Sequence, residues 1–185
     1  LKTFRESLCA GILITIGGTV FLSCENKTAG AVLFSVALLC ICYKGYYLFT
    51  GKIGYIVEQH KKQDFLNLAV GLFGNLIATF LLGMLLRTVL PNIGEKAAEI
   101  CSAKLAQFPL YTFIRGFFCG ILMYLAVSIY KEKNSVLGVL FCVPVFILCG
   151  FEHSIADMFY FGTSGIFDTK IIFFMALIVA GNTLG

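Results

Sequence analysis

Long apolar runs separated by short polar segments make up most of this chain. A helix needs roughly 20 apolar residues to cross about 30 Å of hydrocarbon, and charged or turn-forming residues mark several boundaries between the runs. The pattern therefore predicts six membrane segments. They fall near Leu8–Cys24, Ala29–Tyr43, Phe65–Leu90, Phe108–Tyr130, Val136–Cys149 and Ile171–Ala180.

The second and fifth runs are too short to span a membrane, and a break follows each of them. After Cys42 the chain passes through Gly45 and Gly51, and an apparently helical stretch covers Ile53–Gln59; after Cys149 it reads Gly-Phe-Glu-His-Ser. Paired interruptions of this kind indicate a transport site, because unwound backbone is tolerated at membrane depth only where it is buried in protein or lines a cavity. The alternative is that the two glycines bracket an ordinary loop between a short helix and an interfacial one.

The positions of the breaks also predict how the fold is organised. They lie in segments two and five of a three-plus-three arrangement, and an odd number of spans forces the two halves into opposite orientations. We expect an all-α bundle built from an inverted repeat, in a single domain over residues 1–185 with halves near 1–92 and 97–185. The missing initial Met and the short last run predict a chain trimmed at both ends.

Composition indicates an integral membrane protein in contact with the lipid bilayer. Hydrophobic residues make up 59% of the chain and charged residues only 13%, and the mean hydropathy is +0.92. A soluble domain of 185 residues cannot hide that much apolar surface.

Basic residues predict the orientation. They concentrate in the loops that are internal if the N-terminus is cytoplasmic, so we expect the cytoplasmic (inner) membrane with the N-terminus inside. The charges form no basic stripe with interleaved aromatics, and nucleic-acid binding is not expected. The inner set is Lys2, Arg5, Lys52, Lys61, Lys62, Lys131 and Lys133; the outer set is Lys27, Lys96 and Lys170.

The sequence predicts no metal, no cofactor and no enzymatic activity. Six of the eight cysteines lie within apolar runs, with no CxxC pair and no His at ligand spacing, so we interpret them as small hydrophobic residues in helix packing. No HExxH motif occurs, and Ser154 beside His153 is weak evidence for a dyad because adjacent helical residues point apart. An intramembrane enzyme with Glu152 and His153 as acid and base is the weaker alternative.

The pair Glu152-His153 in the second break is the strongest candidate for function. A titratable pair at membrane depth costs several kcal/mol, so it is usually retained for transport or catalysis. Histidine also changes its charge near neutral pH. A buried histidine that is merely a satisfied core residue is the alternative, but its position at a helix break favours a solute pathway.

The segment from Phe151 to Met158 resembles a known signature. Its residues Phe-Glu-His-Ser-Ile-Ala-Asp-Met are similar to the Phe-Glu-His-Ser-Ile-Ala-Asn-Met signature of the formate–nitrite transporter family, and Leu48-Phe49-Thr50 resembles the loop that interrupts that family's second helix. The likeness covers essentially the whole chain. It implies an aquaporin-like bundle of six helices, a homopentamer with one pore in each protomer, and conduction of small monovalent anions of weak acids.

The resemblance also implies roles for individual residues. Lys104 aligns with a lysine of the pore vestibule. Apart from the resemblance, we expect Glu152 or a bound anion to favour a charged His153, which burial disfavours. The loop that meets this histidine corresponds to Leu48, Phe49 and Thr50, and the apolar constriction to Phe34, Leu38, Met123 and Phe146.

Gly120, Asp157 and the pair Tyr46-Tyr47 depart from the family's pattern. Gly120 stands where formate channels carry an Asn that hydrogen-bonds the central histidine, so we expect another partner to orient His153. Asp157 replaces the usual Asn of the signature. With these departures the chain looks more like the hydrosulfide-channel branch than like the formate channels.

An apolar constriction determines the chemistry that transport requires. A bare anion in a dry passage faces an idealised penalty on the order of 20 kcal/mol, so conduction requires a hydrated opening or neutralisation by a proton. We expect Lys104 to concentrate anions, His153 to lend a proton or a hydrogen bond, and Thr50 to donate and accept. A neutral-solute pore of the aquaporin type is the alternative, weakened because no Asn-Pro-Ala turn occurs.

Overall fold

A computed structural model describes residues 1–57 and 61–185. In these ranges eight α-helices occur together with two 3₁₀ segments, Phe49–Gly51 and Ile53–Val57. His60 and the end of the predicted stretch Ile53–Gln59 lie outside the described residues. The helices are α1 (Lys2–Ser23), α2 (Lys27–Lys44), α3 (Lys62–Val89), α4 (Pro91–Leu105), α5 (Pro109–Lys133), α6 (Leu137–Leu148), α7 (Ser154–Ser164) and α8 (Lys170–Leu184).

The six predicted membrane segments are all helical. Helices α1, α2, α3 and α5 are long and apolar enough to cross a membrane, and α6 and α8 are shorter apolar helices. After the breaks, the second segment continues as the 3₁₀ segments and the fifth as α7. The all-α architecture with interrupted second and fifth segments is therefore confirmed.

One helix, α4, is not predicted by the apolar runs. Pro91 occupies its first turn, where a missing N–H costs nothing. Its buried residues include Ile93, Ala97 and Cys101, which recur every fourth position and form one stripe. This stripe packs mainly against α7. Because only one face is apolar, α4 leaves no continuous hydrophobic run; the predicted boundary between the halves falls inside it.

The helices before the two breaks end in the same motif. At the end of α2 the amide of Tyr46 donates to the carbonyl five residues earlier at 3.0 Å, and that of Gly45 to the carbonyl three residues earlier at 3.2 Å. At the end of α6, Phe151 and Gly150 donate over the same separations, at 2.9 and 3.1 Å. The two glycines have φ values of 66° and 68°, the left-handed conformation that this C-capping motif requires.

A buried asparagine of α3 forms hydrogen bonds with the backbone of the first break. The side-chain oxygen of Asn75 accepts from the amide of Phe49 at 2.8 Å. Its nitrogen donates to the carbonyl of Tyr47 at 2.9 Å and to that of Ser7 in α1 at 2.8 Å. The unwound backbone is thus satisfied inside the protein, as its depth requires.

An asparagine of α8 holds the second break with matching contacts. The oxygen of Asn182 accepts from the amide of Ser154, and its nitrogen donates to the carbonyls of Glu152 and of Gly116 in α5, each at 2.9 Å. In both halves the last helix therefore binds the break and the first helix of the same half. This element-by-element match supports the inverted repeat.

Candidate functional site: a buried histidine between two cavities

His153 is the N-cap residue of α7, and its ring also contacts Thr50 of the first break. Its Nδ1 accepts from the amide of Ala156 at 3.1 Å, as the N-cap of the helix. Its Nε2 lies 2.8 Å from Oγ1 of Thr50. Because Nδ1 is an acceptor, the neutral ring carries its proton on Nε2 and donates to the hydroxyl. The expected partner that orients His153 is therefore a pair, Thr50 and the helix backbone.

Aromatic rings surround this histidine. The ring of Phe146 stacks on the imidazole with 5.5 Å between centroids, and Phe34 meets Phe146 edge to face at 6.3 Å. Both rings, and all the other predicted constriction and loop residues, are at least 96% buried: Leu38, Leu48, Phe49 and Met123. Around the polar Thr50–His153 contact the site is therefore dry and apolar.

Two cavities approach the site from opposite ends of α2. The first, called here the Lys104 cavity, has a volume of about 390 Å³ and reaches His153, Phe34 and Phe146. The second, the Lys52 cavity, has a volume of about 70 Å³ and reaches Leu38 and Leu48. Three of the four predicted constriction residues thus line one cavity or the other: Phe34 and Phe146 the first, and Leu38 the second.

Lys104 forms the centre of a buried charge cluster. It lies in the last turn of α4. Its Nζ donates to the carboxylates of Glu152 and Asp157, the latter at 2.9 Å. Although burial alone lowers the pKa of Lys104, these two carboxylates outweigh burial and hold the pKa above its ordinary value. The lysine is therefore charged, and it is paired.

Glu152 points away from the histidine next to it. Its second oxygen accepts from Nε2 of Gln107 at 2.9 Å, while the first is bound by Lys104. The carboxylate of Glu152 is thus held by Lys104 and Gln107.

Gly120 has a packing role that the sequence does not reveal. A Cβ at this position would lie 2.7 Å from the carbonyl oxygen of Asn182, so only glycine allows α5 and α8 to approach this closely. Gly11 is the equivalent position in the first half, where a Cβ would lie 3.1 Å from the carbonyl oxygen of Asn75. An asparagine at 120 would clash with α8, so this position does not offer a partner to His153.

Several residues of the site are missed by sequence reasoning. Among them are Asn75 and Gln107. A signal for Asn75 is available, since it is a polar residue inside the apolar run Phe65–Leu90, whereas Asn182 lies just past the end of the run Ile171–Ala180. In the described parts of the chain no group of acidic, His and Cys side chains is suited to a metal ion.

Comparisons with known proteins agree with this geometry. The sequence profile described as "Formate/nitrite transporter" matches residues 1–185. The chain is 30% identical to the uncharacterized transporter YwcJ of Bacillus subtilis (strain 168), over 89% of this chain and 72% of that protein. It is 25% identical to the formate channel FocA of Escherichia coli (strain K12), over 86% of this chain and 65% of that one.

Solved structures show the same fold. A pentameric formate channel with formate bound superposes with a TM-score of 0.80 at 24% identity, covering 98% of this chain and 90% of the other. An FNT family ion channel gives 0.79 at 22% identity, covering 99% and 83%. The family is one of transporters rather than enzymes, as the sequence predicts. With its full-length profile match, this chain belongs to the formate/nitrite transporter family.

Proposed function

We propose that this protein conducts small monovalent anions of weak acids through an apolar pore with His153 at its centre. Hydrosulfide is the favoured substrate, with formate and nitrite as further candidates. One observation carries the proposal: a single polar contact, Thr50 to His153 at 2.8 Å, lies between two cavities and is enclosed by apolar side chains.

The relatives support the substrate class. FocA is a formate channel, and the pentameric neighbour contains formate. We extend from them a homopentamer with one pore in each protomer. The distribution of basic residues supports a cytoplasmic N-terminus and a location in the inner membrane. The chain acts as one channel domain built from two halves.

The contact between Thr50 and His153 provides a binding position for the anion. The Nε2 proton that His153 donates to Thr50 can be donated instead to an anion entering from the Lys104 cavity, and the freed hydroxyl can donate as well. Two hydrogen bonds replace part of the lost hydration in a passage where phenylalanine and leucine offer none. Neutralisation by a proton removes the larger remaining cost.

The preference for hydrosulfide follows from how few donors the site provides. Gly120 packs against Asn182 and leaves no amide beside the histidine. A carboxylate such as formate has two oxygens that each need hydrogen-bond donors. Hydrosulfide has a single polarisable sulfur and needs fewer donors. Two donors, from His153 and Thr50, are sufficient for the smaller species.

Uptake into proteoliposomes across an imposed pH gradient tests the proposal. Hydrosulfide, formate, nitrite and chloride are compared for the wild type, His153→Phe and His153→Asn. Phenylalanine removes both hydrogen bonds of the imidazole; asparagine is a good N-cap and keeps a donor, but cannot titrate. We expect rapid, pH-dependent uptake of hydrosulfide by the wild type, and loss of at least about 100-fold in His153→Phe.

The asparagine variant separates the two roles of the histidine. Retained uptake with an unchanged pH response would assign hydrogen bonding alone to His153, and retained uptake with a lost pH response would assign titration to it as well. Unchanged rates and pH profile in His153→Phe would contradict the proposed role. Uptake of water or glycerol without any weak-acid anion would instead assign the protein as a neutral-solute pore.

A further inference from the structure

Asp157 is the feature of the Lys104 cavity that the proposed function leaves unused. It lies in the first turn of α7, is 1% exposed, and lines the cavity together with His153 and Lys104. One carboxylate oxygen, Oδ1, accepts from Nζ of Lys104 at 2.9 Å. The other, Oδ2, is buried and has no hydrogen-bond donor among residues 1–57 and 61–185.

The charges around Asp157 do not balance. One lysine faces two carboxylates, so the Lys104–Glu152–Asp157 cluster carries one excess negative charge if both acids are ionised. A buried charge without a partner is costly, and one added proton removes it. One of the two carboxylates in the cluster is therefore expected to be protonated.

Hydrogen bonding decides which of the two acids holds that proton. Both oxygens of Glu152 have donors, Lys104 and Gln107, and this stabilises the ionised form. Only one oxygen of Asp157 has a donor, and the free one is on a residue that lines the cavity. The N-terminus of α7 favours the ionised form of Asp157, but by less than the burial of the cluster's one excess negative charge disfavours it.

We propose that Asp157 is the proton-loading site of the pore. It donates its proton to a weak-acid anion in the Lys104 cavity before the anion enters the constriction between Phe34 and Phe146. The O–H bond of the carboxylic acid breaks, a bond between the proton and the anion forms, and Asp157 is left ionised. The solution on the same side then returns a proton to it. This inference rests on the proposed function and names the source of the proton.

The geometry of His153 explains why the histidine does not have this role itself. Its Nδ1 already accepts from Ala156 and its Nε2 proton is engaged with Thr50. Taking up a second proton at Nδ1 would break the cap of α7. His153 thus donates a hydrogen bond, while the carboxylic acid one turn further along α7 transfers the proton. Net transport is then one proton with each anion.

Other titratable groups lie close enough to influence this proton. They are Lys104 and Cys101 of α4, Cys119 of α5, Glu152 and His153 of the second break, Tyr160 of α7, and Lys27 at the start of α2. Glu152 is the only other carboxylic acid in this set, so it is the alternative holder that a test must separate from Asp157.

Infrared spectroscopy and transport, applied to the same preparations, test the inference. A protonated carboxylic acid has a C=O stretch that an ionised carboxylate lacks. We expect the wild type to show this band at neutral pH and Asp157→Asn to lose it. Uptake of weak-acid anions should fall at least about tenfold in Asp157→Asn, and its rise with acidity should flatten. Asp157→Glu keeps a titratable acid and should retain both signals.

The controls make each result decisive. Asp168→Asn changes an acid in the turn between α7 and α8 and should match the wild type in band and uptake. An absent band in the wild type, or wild-type uptake and pH profile in Asp157→Asn, would overturn the inference. Loss of the band in Glu152→Gln but not in Asp157→Asn would assign the proton to Glu152. A wild type that shows the band yet takes up no weak acid would contradict the proposed function instead.

Discussion

The first and second breaks have the same backbone arrangement and very different side chains. Each follows a left-handed glycine, and in each an asparagine from the last helix of the half binds the carbonyl of one residue, Tyr47 in the first break and Glu152 in the second. The following residues, Leu48 and His153, are therefore equivalent. The repeat provides two similar places where the chain can unwind inside the membrane, and the departures from symmetry provide the chemistry.

The elements after the breaks differ as well. The first break continues as short 3₁₀ segments, whereas the second continues as α7, which has 11 residues and packs against α3 and α4. Helix α4 lies between α3 and α5 and brings Lys104 to the second break. The Lys104–Glu152–Asp157 cluster therefore lies beside the cavity on one side of the predicted constriction, and the asymmetry between the two breaks extends to charge.

The strongest test of the shared arrangement is removal of each asparagine. Asn75→Ala and Asn182→Ala each leave two buried backbone groups of a break without a partner, at ~1–3 kcal/mol for each group. We expect both variants to lose roughly 2–6 kcal/mol in the free energy of unfolding, measured by denaturant titration in detergent micelles. Asn67→Ala, which removes two longer contacts at a half-exposed position, is the matched control and should be near the wild type.

A large loss in only one of the two variants would break the comparison. It would mean that the equivalent hydrogen bonds do not have equivalent energetic weight, and that the inverted repeat holds for geometry alone.

Replacing Lys104 tests the asymmetry. Lys104→Met leaves Glu152 and Asp157 buried without their cation, so we expect a loss of ~3–5 kcal/mol in the free energy of unfolding at neutral pH. Adding Glu152→Gln and Asp157→Asn to this variant should recover most of the loss, because no buried charge then remains. Equal stability of the single and triple variants would show that the pairs contribute little.

The close approach of helices is the next test of equivalence. A Cβ at Gly120 would lie 2.7 Å from the carbonyl oxygen of Asn182, and a Cβ at Gly11 would lie 2.6 Å from the Cβ of Ala78. We expect Gly120→Ala and Gly11→Ala each to cost ~1–3 kcal/mol through overpacking, seen as a lower midpoint of thermal unfolding. A wild-type midpoint in either variant would mean that its helix pair separates without cost.

The sequence predicts the membrane segments and both breaks because these depend on local properties. Hydropathy and the positions of Gly45 and Gly150 decide them, and no long-range contact is needed. Hydropathy along the sequence does not predict helix α4, because its apolar residues form a stripe on one face and not a continuous run. A stripe becomes informative only when the surface that it packs against is known.

Side-chain partners in the site are harder to predict for a related reason. The Thr50–His153 contact joins residues 103 positions apart, and it is anticipated only through the family resemblance. The pairing of Glu152 with Lys104 and Gln107 depends on how α4 ends beside the second break, which no local pattern encodes. Neighbours in sequence, Glu152 and His153, are for the same reason not partners in space.

The smallest expected effect comes from the glycines that end α2 and α6. No atom lies within 4 Å of a Cβ at Gly45 or Gly150, so the only cost of Gly45→Ala or Gly150→Ala is the left-handed conformation, ~1 kcal/mol in each case. Asparagine tolerates this conformation, so Gly150→Asn should recover part of the loss in thermal unfolding. A drop in Gly150→Ala as large as that of Gly120→Ala would show that the second cap is under a constraint absent from the first. Equal, small drops would extend the equivalence of the two breaks to their helix caps, leaving the side chains after the caps as the source of their different chemistry.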